Sequence, residues 1–438
     1  MRGRLSEQTR RGFLGAGLAA ASGLLAGPAH ARGVAVRIGA VLPTGGAALP
    51  MAAANLGAAG ETARMGFIMA EEELALNAGL LGRDFGVLIS SAPGAEAAHR
   101  AARRLAAVEG VSVLVGGFSR EEADALAEVA EEFGILFMNI GCPSDALRGE
   151  GCRPLSFHVE ASAAMYLDAI MGWFVRSQYR TWHLVHEDSE EGHALAARAG
   201  QALAHRHWGG REVGRTVVRP RGRDFHEAIR AIQSDGPDAV LVLTDWLAQL
   251  DFLASYEAAA LTHPVVGFPE PSTQLREYFA KSRQIAPAAG AGHRAVLWEA
   301  TLDAYGAREL NARFGSRWGK PMDPPAWAAY QACKIAYEAA LFGGTLEGAG
   351  LAEYLTSERA VFDVHKGIGV SFRRWDHQLR QSLYLVKIEP PGEPGYGLRH
   401  GLKRASLVGE LPAIYMPGTD PVERLDQIGD IVPRAACG

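Results

Sequence analysis

The sequence predicts an α/β protein of two lobes, each with a parallel β-sheet covered by helices. Short β-branched segments alternate with longer segments whose apolar residues recur at helical spacing, which is typical of parallel sheets. This alternation begins near residue 35 and begins again after Phe157. The chain of 438 residues is also too long for one simple core and suits two domains.

The first lobe alternates strands with helices from its first residues. A Gly-rich turn, residues 44–49, follows the first strand, and Ser119 is placed to cap the third helix ahead of acidic residues. The predicted strands are VAVRIGAVLP (34–43), FGVLISS (85–91), VSVLVGGF (111–118) and ILFMNIGCP (135–143). The predicted helices are 60–79, 95–110 and 119–134.

The second lobe repeats the pattern, and a late return of the chain adds helices and a β-rich run. Its predicted strands are RTWHLVHED (180–188), EVGRTVVRP (212–220), DAVLVLTDW (238–246) and PVVGFPEP (264–271). The predicted helices are 164–178, 190–207, 224–236, 248–262 and 324–344. Residues 369–392 form the β-rich run. Two lobes of this kind predict a ligand cleft between them.

The N-terminus has the features of an export signal. Arg10 and Arg11 precede Phe13 and Leu14, a short apolar segment follows, and a small-residue cleavage site ends at Ala31. The paired arginines are typical of twin-arginine export, and the apolar segment is shorter than the roughly 20 residues that span a bilayer. We therefore expect a signal peptide over 1–31 and a soluble protein in the periplasm.

Composition and missing motifs exclude several functions. A net charge of −5 argues against nucleic acid as a partner, since that partner requires a basic surface. The sequence has no GxSxG elbow, no P-loop and no GxGxxG after a strand, which argues against enzymes that use them. No cofactor is predicted.

Cys142 and Cys152 lie close together in a segment rich in Gly and Pro. In an oxidising periplasm the spacing favours a disulfide between them. Two free thiols remain an alternative, as does a nucleophile paired with His158; zinc would need more ligands nearby. Cys333 lies in a helical pattern and is expected to be buried, while Cys437 has no assignment.

Six segments in order give the chain a family resemblance. They are VRIGAVLPTGG, the run from VLVGGF to SDAL, WHLVHEDSEEGHALA, VVGFPEP, WAAYQACKIAYEAA and GVSFRRWD. The chain resembles the type I periplasmic solute-binding proteins of ABC importers, over residues 35 to 390. GCPSDALRGEGCR and SFRRWDHQLRQSLYLV look closer to a subgroup associated with PQQ-dependent alcohol oxidation.

The resemblance implies two Rossmann-like lobes with parallel sheets, joined by a three-strand hinge that closes around the ligand. It implies a first lobe of 35–156 plus 293–367 and a second of 157–292 plus 368–390. Residues 391–438 extend past the family's usual end, and we expect them to form a strap along the surface. The implied partners are a small polar solute and an ABC permease in the inner membrane, with the protein itself a monomer.

On the first lobe, the resemblance places a ligand's carboxylate against backbone amides and hydroxyls at Ser119 with Arg120 and at Gly141, Cys142, Pro143 and Ser144. Alternatively, Ser119 only caps its helix and Arg120 lies on a solvated helix face. Arg120, Cys142 and Pro143 depart from the family pattern, which puts binding of a plain branched-chain amino acid in doubt.

On the second lobe, Glu191, Asp245 and Glu270 predict an acidic pocket for an amine or a hard cation. The resemblance assigns the amine-binding carboxylate to Glu270. The alternative is a solvated rim with acids favoured at helix N-termini. Trp246 stacks on the ligand or simply packs against the protein.

His183, His186 and His193 are candidate metal ligands at unfavourable spacing, so no metal site is predicted through them. The leading hypothesis is a periplasmic substrate-binding protein of an ABC transporter. The alternative is an accessory or sensor protein of PQQ-dependent alcohol oxidation that binds a metabolite, cofactor or metal. An enzyme that uses the same cleft is the third.

Overall fold

The computed structural model describes residues 35–44, 51–206, 209–389, 397–413, 418–430 and 437. The expected signal peptide and most of the Gly-rich turn lie outside the described residues. Helices and strands alternate along the chain and form two parallel sheets, so the α/β fold with two lobes is confirmed. The exact limits of the lobes stay a prediction.

The first sheet has five parallel strands, and most of its residues are buried because helices cover both faces. The strands are β1 (Val36–Leu42), β2 (Phe85–Ser91), β3 (Val113–Gly116), β4 (Leu136–Asn139) and β5 (Ser156–His158). Their order is β2-β1-β3-β4-β5. The connecting helices are α1 (Met51–Leu80), α2 (Ala95–Ala107) and α3 (Arg120–Phe133), followed by a 3₁₀ turn at Asp145–Arg148.

The second sheet has four parallel strands. They are β6 (Thr181–Glu187), β7 (Arg211–Val218), β8 (Ala239–Leu243) and β9 (Val265–Gly267). Their order is β7-β6-β8-β9. The helices are α4 (Ala163–Arg176), α5 (Glu190–Gln201), α6 (His226–Asp235), α7 (Trp246–Ala258) and α8 (Arg276–Ile285). A π-helical turn at Ala202–Arg206 extends α5, and a 3₁₀ turn lies at Ala289–Ala291.

The last third of the chain returns to both lobes. It contains β10 (His293–Val296), α9 (Ala307–Trp318), α10 (Pro324–Gly343), α11 (Gly348–Leu355) and β11 (Leu383–Ile388). It ends with α12 (Leu398–Leu402), β12 (Ala405–Leu411) and α13 (Pro421–Leu425). The strands form an antiparallel sheet, β10-β11-β12. Helix α10 packs closely on α1, since a Cβ at Gly66 would lie 2.1 Å from the Ala326 carbonyl oxygen.

Separate passages of the chain meet where the two lobes join. His158 forms a parallel bridge with Gln378, and the Gln381 side chain donates to the Val159 carbonyl at 2.6 Å. Lys366 is buried and donates to the Leu297 carbonyl. Burial lowers the pKa of Lys366 well below its usual value. These contacts tie three chain segments together at the junction.

The tail is more than a strap along the surface, so that expectation is wrong. Strand β12 adds to the edge of β11, and Leu425 and Ile428 are buried. The tail has this position because it finds partners on α4 and α5. The Gly429 amide donates to Asp168 at 2.9 Å, and Asp430 lies 3.3 Å from Arg198.

The predicted disulfide between Cys142 and Cys152 is also wrong. Cys152 is bonded to Cys437, whose Cα lies 5.2 Å away, whereas Cys142 and Cys333 are buried free thiols. Cys142 is held inside the first lobe, while Cys152 lies in the surface loop that the tail reaches. In the described part of the chain, no helix is long and apolar enough to cross a membrane.

Candidate functional site

The candidate site lies between the carboxyl ends of the two parallel sheets. Segments that follow β3 and β4 approach segments that follow β6, β8 and β9, as the rule for parallel α/β sheets predicts. The two sides touch: the Ser144 hydroxyl donates to the Glu191 carboxylate at 2.9 Å, and Arg120 lies 4.0 Å from the same carboxylate. The structure therefore brings Ser144 and Arg120 of the first lobe into contact with Glu191 of the second.

The second lobe contributes four neighbouring carboxylates. Glu187 ends β6 and accepts from the Asp245 amide at 3.3 Å. Burial, together with the charges of Asp245, Glu187 and Glu191, raises the pKa of Glu270 to about 8. Burial and the Asp245 charge also raise the pKa of Glu187. This face therefore crowds acidic groups so closely that Glu270 keeps its proton near neutral pH.

Glu187 is absent from the sequence-based site. The sequence could have identified Glu187, because it lies in HED at the carboxyl end of a predicted strand, the end that faces the cleft. The close approach of α5 to this strand holds the position: a Cβ at Gly192 would lie 2.3 Å from the Glu187 carbonyl oxygen. Gly192 thus lets α5 begin against the end of β6.

Asp245 and Trp246 have structural contacts of their own. The Asp245 carboxylate caps α7, accepting from the amides of Leu247 at 2.8 Å and Ala248 at 2.9 Å. Trp246 is half-buried, packs against the main apolar core, and its backbone hydrogen-bonds to Glu270. Asp245 therefore caps a helix and also belongs to the acidic cluster.

On the first lobe, one side chain occupies the backbone groups that the family resemblance assigns to a ligand. The Asn139 amide oxygen accepts from the amides of Gly141 at 3.1 Å and Cys142 at 2.9 Å. Its nitrogen donates to the Cys142 carbonyl at 2.7 Å and lies 3.1 Å from His158 Nδ1. Asn139 is fully buried at the end of β4. The sequence analysis overlooked it, although its place at the strand end was visible.

The remaining first-lobe residues are also engaged. The Ser119 hydroxyl accepts from the Glu122 amide at 3.2 Å, so the helix cap is observed. The Pro143 carbonyl accepts from the Ala163 amide at 2.7 Å. Arg120 is half-exposed and lies 3.9 Å from Asp124. The helix-face interpretation of Arg120 is therefore observed as well, with its guanidinium also near the second lobe.

The Cys142 thiol has the wrong environment for a nucleophile. Burial raises its pKa to about 12, so it stays protonated at neutral pH. His158 is buried too, and burial holds its pKa well below the usual value. Neither group is prepared for proton transfer to a solute in the cleft.

The three candidate histidines have other partners. His183 is fully buried, with Nδ1 at 2.7 Å from Asp235 and Nε2 at 2.9 Å from Thr216. His193 lies 2.9 Å from Asp188. Among the residues that the structure describes, no group of three or more His, Cys, Asp or Glu side chains is placed to hold a metal ion.

Two cavities lie between residues of the two lobes, beside Arg120. One of about 200 Å³ and one of about 370 Å³ share Arg120, Asp145 and Glu190 in their walls. Asp430 of the tail closes the larger cavity, and Glu191 lines the smaller one. Glu191 therefore takes part both in the contact with Ser144 and in the wall of the smaller cavity.

Comparisons with known proteins agree with this architecture. The family model described as "Periplasmic binding protein" matches residues 35–393. No curated protein matches the chain.

Solved structures match over most of the chain. An amino acid ABC transporter substrate-binding protein from Pseudomonas fluorescens is 18% identical, covering 88% of this chain and 97% of its own, with a TM-score of 0.72. An ABC transporter substrate-binding protein from Sphaerobacter thermophilus is 21% identical, covering 86% of this chain and 98% of its own, with a TM-score of 0.71. A solute-binding protein from R. palustris in complex with benzoate is 18% identical, covering 86% and 96%, with a TM-score of 0.66.

Proposed function

Because the chain belongs to the periplasmic binding protein family, we propose that it captures a small cationic amine between its lobes and delivers it to an ABC permease. The observation that carries the choice of ligand is the cluster of carboxylates on the second lobe. Glu187, Asp245 and Glu270 lie at the ends of three strands of one sheet, where the charges of Asp245, Glu187 and the nearby Glu191 oppose ionisation of Glu270. A protonated amine would relieve their mutual repulsion.

The first lobe supports an amine without a carboxylate group. A zwitterionic amino acid needs donors for its carboxylate as well as acceptors for its ammonium group. The amides of Gly141 and Cys142 already donate to Asn139, and the Ser144 hydroxyl donates to Glu191. Releasing the two amides for a ligand would leave the buried Asn139 amide oxygen without a partner, at a cost of about 1–3 kcal/mol. The solutes named for the related structures, amino acids and benzoate, therefore do not suit this cleft.

The remaining parts of the proposal come from the family and the leader. Residues 1–31 would export the protein to the periplasm, and closure of the lobes about their junction would bury the solute. Delivery requires a permease, so genes for a permease and an ATPase are expected beside this one.

Calorimetry with matched ligand pairs tests the ligand class. The protein is first unfolded and refolded to remove any bound solute. We expect 3-methylbutylamine to bind more tightly than leucine, and benzylamine more tightly than benzoate. Glu270→Gln, which keeps the shape and removes the charge, should abolish the preference. The exposed Glu128→Gln is the matched control and should bind as the parent protein does.

Micromolar binding of leucine or benzoate, with no binding of either amine, would contradict the proposal. Native mass spectrometry of protein taken from its own periplasm gives an independent result. An added organic mass supports solute capture, and an added metal mass contradicts the amine and favours a cation carrier. The accessory or sensor role in PQQ-dependent alcohol oxidation stays a prediction, which an absence of neighbouring permease genes would favour.

A further inference from the structure

A hydrogen bond between two residues of the predicted site connects the two lobes. The Ser144 hydroxyl, on the segment after β4, donates to the Glu191 carboxylate, at the start of α5, at 2.9 Å. Ser144 is buried and Glu191 is half-exposed. The contact joins residues 47 positions apart and bridges the two sheets.

Arg120 reinforces the same contact from the first lobe. Its guanidinium lies 3.7 Å from Glu190 and 4.0 Å from Glu191. The side chain of Glu190 is 88% exposed, so solvent and salt screen that pair and it adds little. Among the contacts that Glu190 and Glu191 make with the first lobe, the hydrogen bond from Ser144 therefore contributes most.

We propose that Ser144 and Glu191 form a latch that holds the lobes closed and that neither residue recognises the solute. This rests on the proposed function, because it assumes a cleft that closes. The latch residues are paired with each other across the two lobes, which leaves the Ser144 hydroxyl without a proton to donate to a solute while the lobes are closed. Solute contact is thereby left to Glu187, Asp245 and Glu270. Ser144 and Glu191 are positioning residues for closure.

Small-angle X-ray scattering of the solute-free protein tests the latch, since opening of the lobes increases the radius of gyration. A hydrogen bond to a charged group contributes about 1.5–3 kcal/mol, so its loss should shift the closed-to-open ratio by about tenfold or more. We expect Ser144→Ala and Glu191→Ala each to raise the radius of gyration. The double variant should be no more open than either single variant, because both remove one contact.

Two controls separate the latch from a general effect of substitution. Ser177→Ala changes an exposed serine on the second lobe, and Glu190→Gln removes the screened ion pair; both should leave the scattering unchanged. Circular dichroism and the melting temperature verify folding. Scattering identical to the parent in both single variants, or additive opening in the double variant, would overturn the latch. Neither result bears on whether amines bind, which the calorimetry decides separately.

Discussion

Removal of the bond between Cys152 and Cys437 gives the sharpest test of the chain's long-range structure. We expect Cys152→Ala and Cys437→Ala each to lower the free energy of unfolding. The bond joins residues 285 positions apart in a chain of 438 residues, so it closes about two thirds of the chain into a loop. Breaking it restores conformational freedom mainly to the unfolded chain.

The size of the loss follows from the loop. For a separation of 285 residues the chain-entropy relation gives about 5–6 kcal/mol at 25 °C, and native disulfides typically contribute about 2–5 kcal/mol. The folded tail keeps its other contacts, since Asp426 remains 2.9 Å from Arg373 and Asp430 remains beside Arg198. The native state is therefore altered little, and we expect a loss of about 3–5 kcal/mol.

Denaturant titration under oxidising conditions measures the loss. The two single variants and the double variant should lose equal amounts, because each breaks the same bond. Peptide mapping of unfolded, unreduced protein should find Cys142 and Cys333 alkylated, and the other two cysteines only after reduction. A link between Cys142 and Cys152, or additive losses in the double variant, would refute the assignment.

Three further outcomes are expected. The pKa of Glu270 is higher in the folded protein than in the unfolded chain, so the folded state loses stability as pH rises from about 4.5 to 8. Glu270→Gln should therefore stabilise the solute-free protein at pH 9 by about 2–4 kcal/mol, which thermal melts would measure. Amine affinity should rise about tenfold per pH unit up to pH 8 and become flat in that variant, as calorimetry would record; a flat profile in the parent would contradict it. Gly192→Ala should cost about 1–3 kcal/mol in denaturant titration because its Cβ meets the Glu187 carbonyl, whereas Gly79→Ala, in open space, should cost nothing.

Local sequence patterns predicted the fold because they report on local physics. Strands such as β1 and β8 are β-branched runs, helix α3 has a Ser cap and a Gly stop, and all of these elements are observed. The same logic placed Asp245 at the end of a strand on the cleft side, whereas Glu270 was assigned from the family resemblance. Glu187 was within reach of that logic and was overlooked.

Pairings between distant segments could not be predicted in the same way. Cys152 had a near neighbour in Cys142, and nothing in the sequence showed that the tail folds back far enough to bring Cys437 to it. The strap expectation for the tail failed for the same reason, since its partners Asp168 and Arg198 lie more than 200 residues earlier. Such contacts depend on the assembled fold.

The buried Asn139 side chain occupies backbone amides that the family resemblance assigns to a ligand. Its amide satisfies two backbone donors and one acceptor of the loop after β4, and its complete burial makes those bonds costly to break. Asn139→Ala should therefore destabilise the protein by about 2–4 kcal/mol while freeing the amides of Gly141 and Cys142. If the freed amides can donate to a ligand carboxylate, the ratio of leucine affinity to 3-methylbutylamine affinity should be higher in the variant than in the parent protein. An unchanged preference in a folded variant would mean that the acidic face alone determines the ligand.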